Sequence, residues 1–276
     1  MSEDSPIVQR LIFGHRVRDL RDQAGIELEA ANKMLGWYRG KLSKVEHGGL
    51  ALNEAGTKAL LELYGVTGKQ AEDLRRLSAE ARRYAAPERV PDVGRDYVVF
   101  ERAAEELRMI YPEVPGLIQT AEYARAQIMH SPTVPGSRVA DMAAAREQRG
   151  EQLRVRPGQR VWIILGEEAL RRIVGGPATL RRQLERVVEF AQLPHVSIRV
   201  LPFDSGSAPG LSCPFTLLYI AVAETAIAYT ETLTGADYLR TTGAYSLAFE
   251  QAEQQCLSED DTVSLLKNRI QELSDK

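Results

Sequence analysis

The stretch Gly14–Gly48 constrains the fold of this chain more than any other part of the sequence, because glycines divide it into three short apolar-periodic segments. Apolar residues recur three or four positions apart within each segment, which is the spacing of one buried helical stripe. Gly25 and Gly36 stand between the segments, where glycine adopts the left-handed backbone of a helix end without strain from a Cβ atom. The sequence therefore predicts three closely spaced helices, followed by a fourth that ends before Gly65.

The third segment, from Tyr38 to Glu46, is short and basic, and Leu42 and Val45 predict its buried face. Two consecutive helices joined by a glycine turn, the second of them cationic, are typical of a helix-turn-helix that places its second helix in the DNA major groove. We expect base-edge contacts from Arg39 and Lys44, since both side chains can donate to guanine O6 and N7. Contacts to the phosphate backbone are expected from the remaining polar candidates, which are Tyr38, Lys41, Ser43 and Arg16.

Two motifs in this order resemble one known class of regulator. The residues from about Val8 to Val66 resemble the phage-repressor (Xre) type of helix-turn-helix, with Leu-Gly-Trp at the turn and Lys-Leu-Ser-Lys-Val-Glu-His-Gly as the recognition helix. The later segment from Val114 to Ala124 is similar to the VPGLLQT-x-x-YA signature of a C-terminal domain that is fused to such repressors in actinobacteria. The chain thus resembles the WhiJ-like regulators and their antitoxin-like relatives.

This resemblance implies a sequence-specific DNA-binding transcriptional regulator, with an interaction and regulatory C-terminal domain that binds a small BldB-like protein. We also expect that domain to mediate dimerisation, and a small-molecule effector is a further candidate for its ligand. Within the signature, Gln119, Thr120 and Tyr123 are the candidates for contacting that partner or ligand. The alternative is that the signature is structural, with its proline and glycine turning the chain and Leu117 and Ile118 filling the core.

Four positions depart from the pattern of the family. The family usually places Thr or Ser at the position of Glu27, a small apolar residue at Asn32 and Ser at Tyr38. Gly40 falls within the expected recognition helix, where glycine costs about 1 kcal/mol relative to alanine, and each lost cap costs roughly 1 kcal/mol more. These departures predict a recognition helix that is less pre-ordered. They also motivate a second hypothesis, an antitoxin-like protein-interaction module with weakened DNA binding, beside a third, a small-molecule sensor.

The net charge and the hydropathy of the sequence limit which partners the chain can have. Its 276 residues carry a formal net charge of −3, so that only a local basic face is available to DNA. Because the excess of cations between Arg10 and Lys44 is modest, we expect a homodimer that reads two half-sites on double-stranded DNA. The sequence has no apolar run of membrane-spanning length and an acidic start, which favours a cytoplasmic protein without a membrane partner.

The predicted fold class is multidomain, with an all-α, phage-repressor-like N-terminal domain and a larger α+β (mixed α/β) C-terminal domain. We place the helix-turn-helix domain at residues 1–67, a connector helix and linker at 68–95, and the regulatory domain at 96–276. The connector helix either packs on the fourth helix or contributes to a dimer contact. In the regulatory domain the pattern predicts helices at 96–108, 121–129, 139–153, 167–174, 179–192, 236–257 and 260–273, with Thr120 as the cap of the second. It predicts a short extended run near 109–111 and strands at 161–165, 196–201, 215–220 and 226–231.

Catalysis and cofactor binding are not expected. Glu167 and Glu168 follow a predicted strand, but adjacent acids at a helix start are also favoured by the helix dipole. The histidines are scattered and no glycine-rich phosphate loop is present in the sequence, so we expect neither a metal nor a cofactor. Cys213 and Cys256 lie far apart without C-x-x-C spacing, which favours buried thiols over a redox sensor.

Overall fold

The computed structural model describes residues 6–83, 95–233 and 235–274. These residues divide into two compact units. The helical unit comprises residues 6–83, 96–103 and 220–225, and the sheet unit comprises most of the remainder. The predicted linker around Pro87 and Pro91 lies outside the described residues.

The helical unit begins with five helices whose ends follow the glycines of the sequence. Gly25 and Gly36 both adopt a positive φ of 65°, and Gly25 follows the end of the first helix as predicted. The fourth helix starts behind Asn53, whose side chain accepts a hydrogen bond from the backbone of Gly56 at 2.8 Å. The bounds are α1 Pro6–Gln23, α2 Leu28–Met34, α3 Lys41–Glu46, α4 Glu54–Leu63 and α5 Gly68–Arg82, and α6 Arg95–Ala103 follows.

One apolar core holds these five helices together. Because the buried positions recur at helical spacing, each helix turns a single stripe inward. The connector helix α5 packs against both α1 and α4, so the packing interpretation of that segment agrees with the structure. The core consists of Phe13, Val17, Leu20, Ala31, Leu42, Val45, Leu52, Leu60, Leu61, Val66, Ala71 and Leu74.

The expected recognition helix from Tyr38 to Glu46 is wrong at its start, because α3 begins only at Lys41. Gly40 precedes it with a φ of 83°, in the left-handed region that glycine adopts without strain. Gly40 therefore lies outside the helix, and the helix-propensity cost assigned to it does not apply. Tyr38 and Arg39 lie in the turn between α2 and α3.

The sheet unit is built on a six-stranded mixed sheet in the order β3-β2-β1-β4-β5-β6. β1 runs parallel to β2 and antiparallel to β4, and β2 runs parallel to β3. The strands are β1 Glu106–Tyr111, β2 Arg160–Gly166, β3 Val196–Leu201, β4 Phe215–Ile220, β5 Thr225–Thr232 and β6 Gly235–Leu239. The helices are α7 Ala121–Ile128, α8 Val139–Arg154, α9 Glu168–Arg171, α10 Pro177–Ala191, α11 Pro209–Ser212, α12 Gly243–Gln255 and α13 Glu259–Ser274.

The predicted fold class, a helical N-terminal domain with a mixed α/β C-terminal domain, is confirmed. Two element predictions are wrong. The helix expected at 96–108 ends at Ala103, because Glu106 onward pairs with two neighbouring strands. The helix expected at 236–257 starts only at Gly243, because Gly235–Leu239 pairs with β5 and Tyr238 packs on Tyr229 with ring centroids 5.4 Å apart.

The thiols differ from the expectation that both are buried, since Cys213 is exposed and Cys256 is half-buried. Across the described residues, no helix is long and apolar enough to cross a bilayer.

Candidate nucleic-acid interface

Two apolar anchors fix α3 against the helical core. Leu42 and Val45 are both fully buried, and they lie three positions apart on the inner face of this six-residue helix. Helices this short are unstable in isolation, so the packing of these side chains is what maintains α3. The outer face of α3 is left to Lys44 and, in part, to Lys41 and Ser43.

A glycine lets α1 approach the end of α3 at backbone distance. A Cβ atom on Gly14 would lie 2.5 Å from the carbonyl oxygen of Val45 and 2.6 Å from that of Glu46. A Cβ atom cannot approach a backbone oxygen this closely, so no residue with a side chain fits here without separating the two helices. Gly14 thus sets the distance between α1 and α3.

An ion pair holds the last residue of α3. The Nε of Arg21 donates to Oε1 of Glu46 at 2.7 Å, and its Nη2 donates to Oε2 at 3.2 Å. The guanidinium also donates to the backbone oxygen of Ile26 at 3.1 Å, so α1, its following turn and α3 are tied together. The hydrogen bond that Arg21 donates to Glu46 raises the pKa of Arg21, although desolvation opposes the shift. A two-pronged pair of this geometry is stronger than a single surface contact.

A side chain from α2 holds the other end of α3. The Oδ1 of Asn32 accepts a hydrogen bond from the backbone N–H of Leu42 at 3.0 Å. Its Nδ2 donates back to the carbonyl oxygen of Leu28 at 3.1 Å. Asn32 is only 2% exposed, and its bond to Leu42 is shielded from water. Asn32, one of the four departures from the family pattern, is therefore a structural contact of α3.

Two of the predicted DNA-contacting side chains lie in the turn before α3 and are strongly exposed. Tyr38 is 58% exposed, and the side chain of Arg39 is 90% exposed. The Nε of Arg39 lies 3.5 Å from a carboxylate oxygen of Glu29, an exposed pair of little strength. Both side chains are consequently available to a ligand outside the chain.

The predicted contacts within α3 differ in how freely they can move. The Nζ of Lys44 is exposed and lies 5.9 Å from the ring centroid of Tyr38. The Nζ of Lys41 lies 4.2 Å from the ring centroid of Trp37, within the range of a cation–π interaction. Ser43 is half-buried, and its hydroxyl lies 3.3 Å from Nδ1 of His47. Lys44 is the freer of the two lysines.

Arg16 is not brought together with the other candidates. At about 100° per helical residue, it lies on the side of α1 opposite to Gly14 and Arg21, which face α3. There it lines a 540 Å³ cavity between α1 and α5, with Leu20, Lys69 and Leu77 among the other lining residues. The proposed backbone contact of Arg16 stays a prediction, on a different face from the one that carries α3.

Together these residues present a short, rigid helix beside an exposed aromatic and cationic turn. Such an element can donate to phosphate oxygens and to base edges in a groove. The sequence pattern identified the exposed candidates, but it missed Arg21, Glu46 and Asn32 as the side chains that hold α3. Their partners lie 10 to 25 residues away, and helical periodicity reports only neighbours on one helix.

The signature residues of the sheet unit are engaged within their own domain. Gln119 is 1% exposed; its Nε2 donates to the backbone oxygen of Val114 at 2.7 Å, and its Oε1 accepts from Arg146 at 2.9 Å. Thr120 caps α7 by accepting from the backbone N–H of Tyr123 at 3.2 Å, as predicted. These contacts support the structural interpretation of the signature.

Tyr123 has no exposed surface, and its burial raises the pKa of its hydroxyl. The backbone N–H of Thr120 donates to Oε1 of Gln183 at 2.7 Å, which ties the start of α7 to α10. A ligand could reach Gln119 or Tyr123 only if these contacts opened. Their role in binding a partner stays a prediction.

Comparison with known families divides the chain in the same order as its two motifs. A family model described as a helix-turn-helix domain matches residues 12–74. A second, described as a domain of unknown function (DUF5753), matches residues 94–268, which is more than half of the chain. No curated protein and no solved structure gives a significant match. The helix-turn-helix match includes every residue that contacts α3 in the preceding description.

Proposed function

This chain belongs to the DUF5753 family, and because a helix-turn-helix domain precedes the family's own domain, we propose that it is a sequence-specific transcriptional regulator. The helix-turn-helix domain places it among DNA-binding regulators. In the proposal, α3 enters the major groove, Arg39 and Lys44 contact base edges, and Tyr38, Lys41 and Ser43 contact the phosphate backbone. Arg16 is left out of this surface, because it lies on the side of α1 opposite to α3.

The observation that carries the proposal is the contrast between the two sides of α3. Its inner side is immobilised by Leu42, Val45 and the Arg21–Glu46 pair, whereas Lys44 and the preceding turn are exposed. A protein that recognises base sequence needs an anchored inner side and an exposed outer side on its recognition element. Hydrogen bonds discriminate between bases only when the donors are held in a fixed register. A solvated surface helix would need no such anchoring.

We propose further that two copies act together. The positive charge of the few cations beside α3 is partly offset by Glu27 and Glu29, so a single helix-turn-helix domain would bind DNA weakly. Two such domains joined in a homodimer would bind two half-sites, and the second contact would benefit from a high effective concentration. We assign dimerisation to the DUF5753 domain.

The DUF5753 domain is also the proposed site of regulation, through a small BldB-like protein or a small-molecule effector, as in the WhiJ-like repressors of actinobacteria that the chain resembles. We propose a regulatory rather than a catalytic role for it. The carboxylate of Glu167, the most suggestive catalytic candidate, accepts from Arg171 at 3.0 Å and from the backbone of Phe203 at 3.2 Å. These contacts give Glu167 a structural function.

The alternative of an antitoxin-like module with weakened DNA binding was motivated by missing helix caps. Glu27 indeed makes no capping hydrogen bond to α2. At α3, however, Asn32 supplies the acceptor and Gly40 lies outside the helix, so the motivation is reduced to one uncapped helix start. We therefore favour DNA binding.

The experiment is selection of duplexes from a randomised library by the full chain, followed by affinity measurement for the best duplex and its single-base variants. We expect Arg39→Ala and Lys44→Ala each to lose about 1–3 kcal/mol of discrimination at one base pair. Lys41→Ala is expected to weaken all duplexes alike and to reduce the salt slope by about one. Arg76→Ala, which removes an exposed arginine of α5, is the control that should change nothing.

Unchanged base preference in both Arg39→Ala and Lys44→Ala would contradict the assignment of these two residues. Failure of the wild-type chain to enrich any duplex, together with co-purification of a small acidic protein, would favour the antitoxin-like module. A metabolite that raises the thermal midpoint of the chain, again without duplex enrichment, would favour the sensor.

A further inference from the structure

The start of α3 has an unusual hydrogen-bonding arrangement. The first backbone N–H groups of any helix lack partners within the helix, and a side chain just before it commonly accepts from one of them. Here the preceding residue is Gly40, which has no side chain, in a left-handed conformation. The capping side chain must therefore come from another part of the chain.

Asn32 of α2 is that part. Its Oδ1 accepts from the N–H of Leu42, the second residue of α3, across ten positions of sequence. The orientation of its amide is fixed, because the opposite one would place the NH₂ group against the N–H of Leu42 and the oxygen against the carbonyl of Leu28. The side chain thus spans the two helices with one donor and one acceptor, each used.

We infer that Asn32 is a positioning residue for DNA recognition: it caps α3 from α2 and fixes where the recognition helix begins. The consequence concerns the turn. Because the capping group comes from α2, neither Tyr38 nor Arg39 is needed to cap α3, and both side chains remain exposed beside it. Asn32 and Gly40 then act together, one holding the helix start and the other allowing the turn that displays these two side chains.

The effect of Asn32 on DNA recognition rests on the proposed function, whereas its cap on α3 does not. An alanine at position 32 would leave the Leu42 N–H, which is buried, without its acceptor. Such a group is costly when shielded from water. The first turn of α3 would then open more often, and the side chains displayed beside it would lose their fixed register on DNA.

The chain offers a control cap of the same chemistry, at an asparagine that is exposed rather than buried. Asn53 caps α4 with the same chemistry, its Oδ1 accepting from the N–H of Gly56 at 2.8 Å. Asn53→Ala therefore removes the same atoms and one cap from the same helical unit, but it leaves α3 untouched. Comparing the two variants separates the loss of a cap in general from the loss of the cap on α3.

The test measures two quantities on the full-length wild type, Asn32→Ala and Asn53→Ala. The first is amide hydrogen exchange: Asn32→Ala should accelerate the Leu42 amide about 5- to 10-fold without affecting Gly56, and Asn53→Ala should do the reverse. The second is the affinity ratio between the duplex enriched by the wild type and a scrambled duplex. Asn32→Ala should lower this ratio roughly tenfold, whereas Asn53→Ala should leave it unchanged.

Unchanged exchange at Leu42 in Asn32→Ala would overturn the cap itself. Faster exchange with an undiminished affinity ratio would overturn the link to DNA recognition, as would an equal fall of the ratio in both variants. If the wild type discriminates between no duplexes, the proposed function fails, and the link to recognition fails with it. The exchange data still decide the cap in that case.

Discussion

Asn32 and Gly40 show that a residue's role can depend on a partner the sequence pattern does not reveal. Each departs from the family pattern, and each predicts a weaker recognition helix when considered alone. In the structure Asn32 compensates for Gly40, because its side chain supplies the hydrogen-bond acceptor for the start of α3 that glycine cannot provide. A capping group ten positions away cannot be found by searching for Ser, Thr or Asp directly before a helix.

Tyr64 is a second residue whose surroundings have a measurable consequence. Its hydroxyl is buried and has no hydrogen-bond partner among the described residues, and burial raises the pKa of Tyr64 to about 12. A raised pKa in the folded state means that the unfolded chain ionises first, near pH 10. The contribution of Tyr64 to stability is therefore fully present below about pH 10 and is lost as the pH rises towards 12.

We predict that Tyr64→Phe is at least as stable as the wild type at pH 7, with a gain of up to about 1 kcal/mol, because it removes a buried hydroxyl without a partner. Between pH 10 and 12 it should lose less stability than the wild type. Urea unfolding at pH 7 and between pH 10 and 12 measures the free energy of unfolding of both proteins. Tyr38→Phe, which alters an exposed hydroxyl, is the control, and an alkaline loss as large in Tyr64→Phe as in the wild type would contradict the prediction.

At the scale of elements, the sequence predicted what depends on periodicity and missed what depends on pairing. The helices ending near Gly25 and starting at Thr120, and the buried strands β2 and β3, follow local signals and agree with the structure. β6 does not, because Gly-Ala-Asp-Tyr-Leu has little strand propensity and becomes a strand through pairing with β5. The start of α3 was missed for a similar reason.

The approach of α1 to α3 gives a prediction at this scale. Gly14→Ala should destabilise the helical unit by about 1–3 kcal/mol, since the added methyl group would collide with the carbonyl oxygens of Val45 and Glu46. Gly49→Ala is a matched control, because its Cβ would lie 3.5 Å from the nearest atom, the oxygen of Lys44. Urea denaturation compares the two. Equal midpoints would show that α1 and α3 are not held as closely as described.

The exposed ion pair between Glu29 of α2 and Arg39 of the turn before α3 gives a further prediction. Glu29 lies 3.5 Å from Arg39, so its negative charge both opposes phosphate and competes for the guanidinium. We predict that Glu29→Gln strengthens binding to the enriched duplex roughly two- to fivefold at low salt. Glu62→Gln, which neutralises a comparably exposed glutamate of α4 paired with Lys58, serves as the control. Weaker binding by Glu29→Gln would show that Arg39 is not held back by this contact.

At the scale of the whole molecule, the chain combines a small helical unit with a larger sheet unit, and the overall charge of −3 does not suit a strong DNA binder. In the proposed function, one local surface beside α3 recognises the DNA sequence, and the joining of two copies supplies the affinity. In the proposed homodimer, the DUF5753 domain would contribute to DNA binding indirectly, by joining the two helix-turn-helix domains. Its signature residues stabilise the start of α7 within that domain.

The most direct test of the central claim, that α3 and its preceding turn read DNA sequence, is the affinity of the full-length chain for an enriched duplex relative to a scrambled duplex of the same length. Fluorescence anisotropy at about 150 mM salt would measure both. We expect the enriched duplex to be preferred by about 10³-fold or more. Equal affinities for the two duplexes would contradict it.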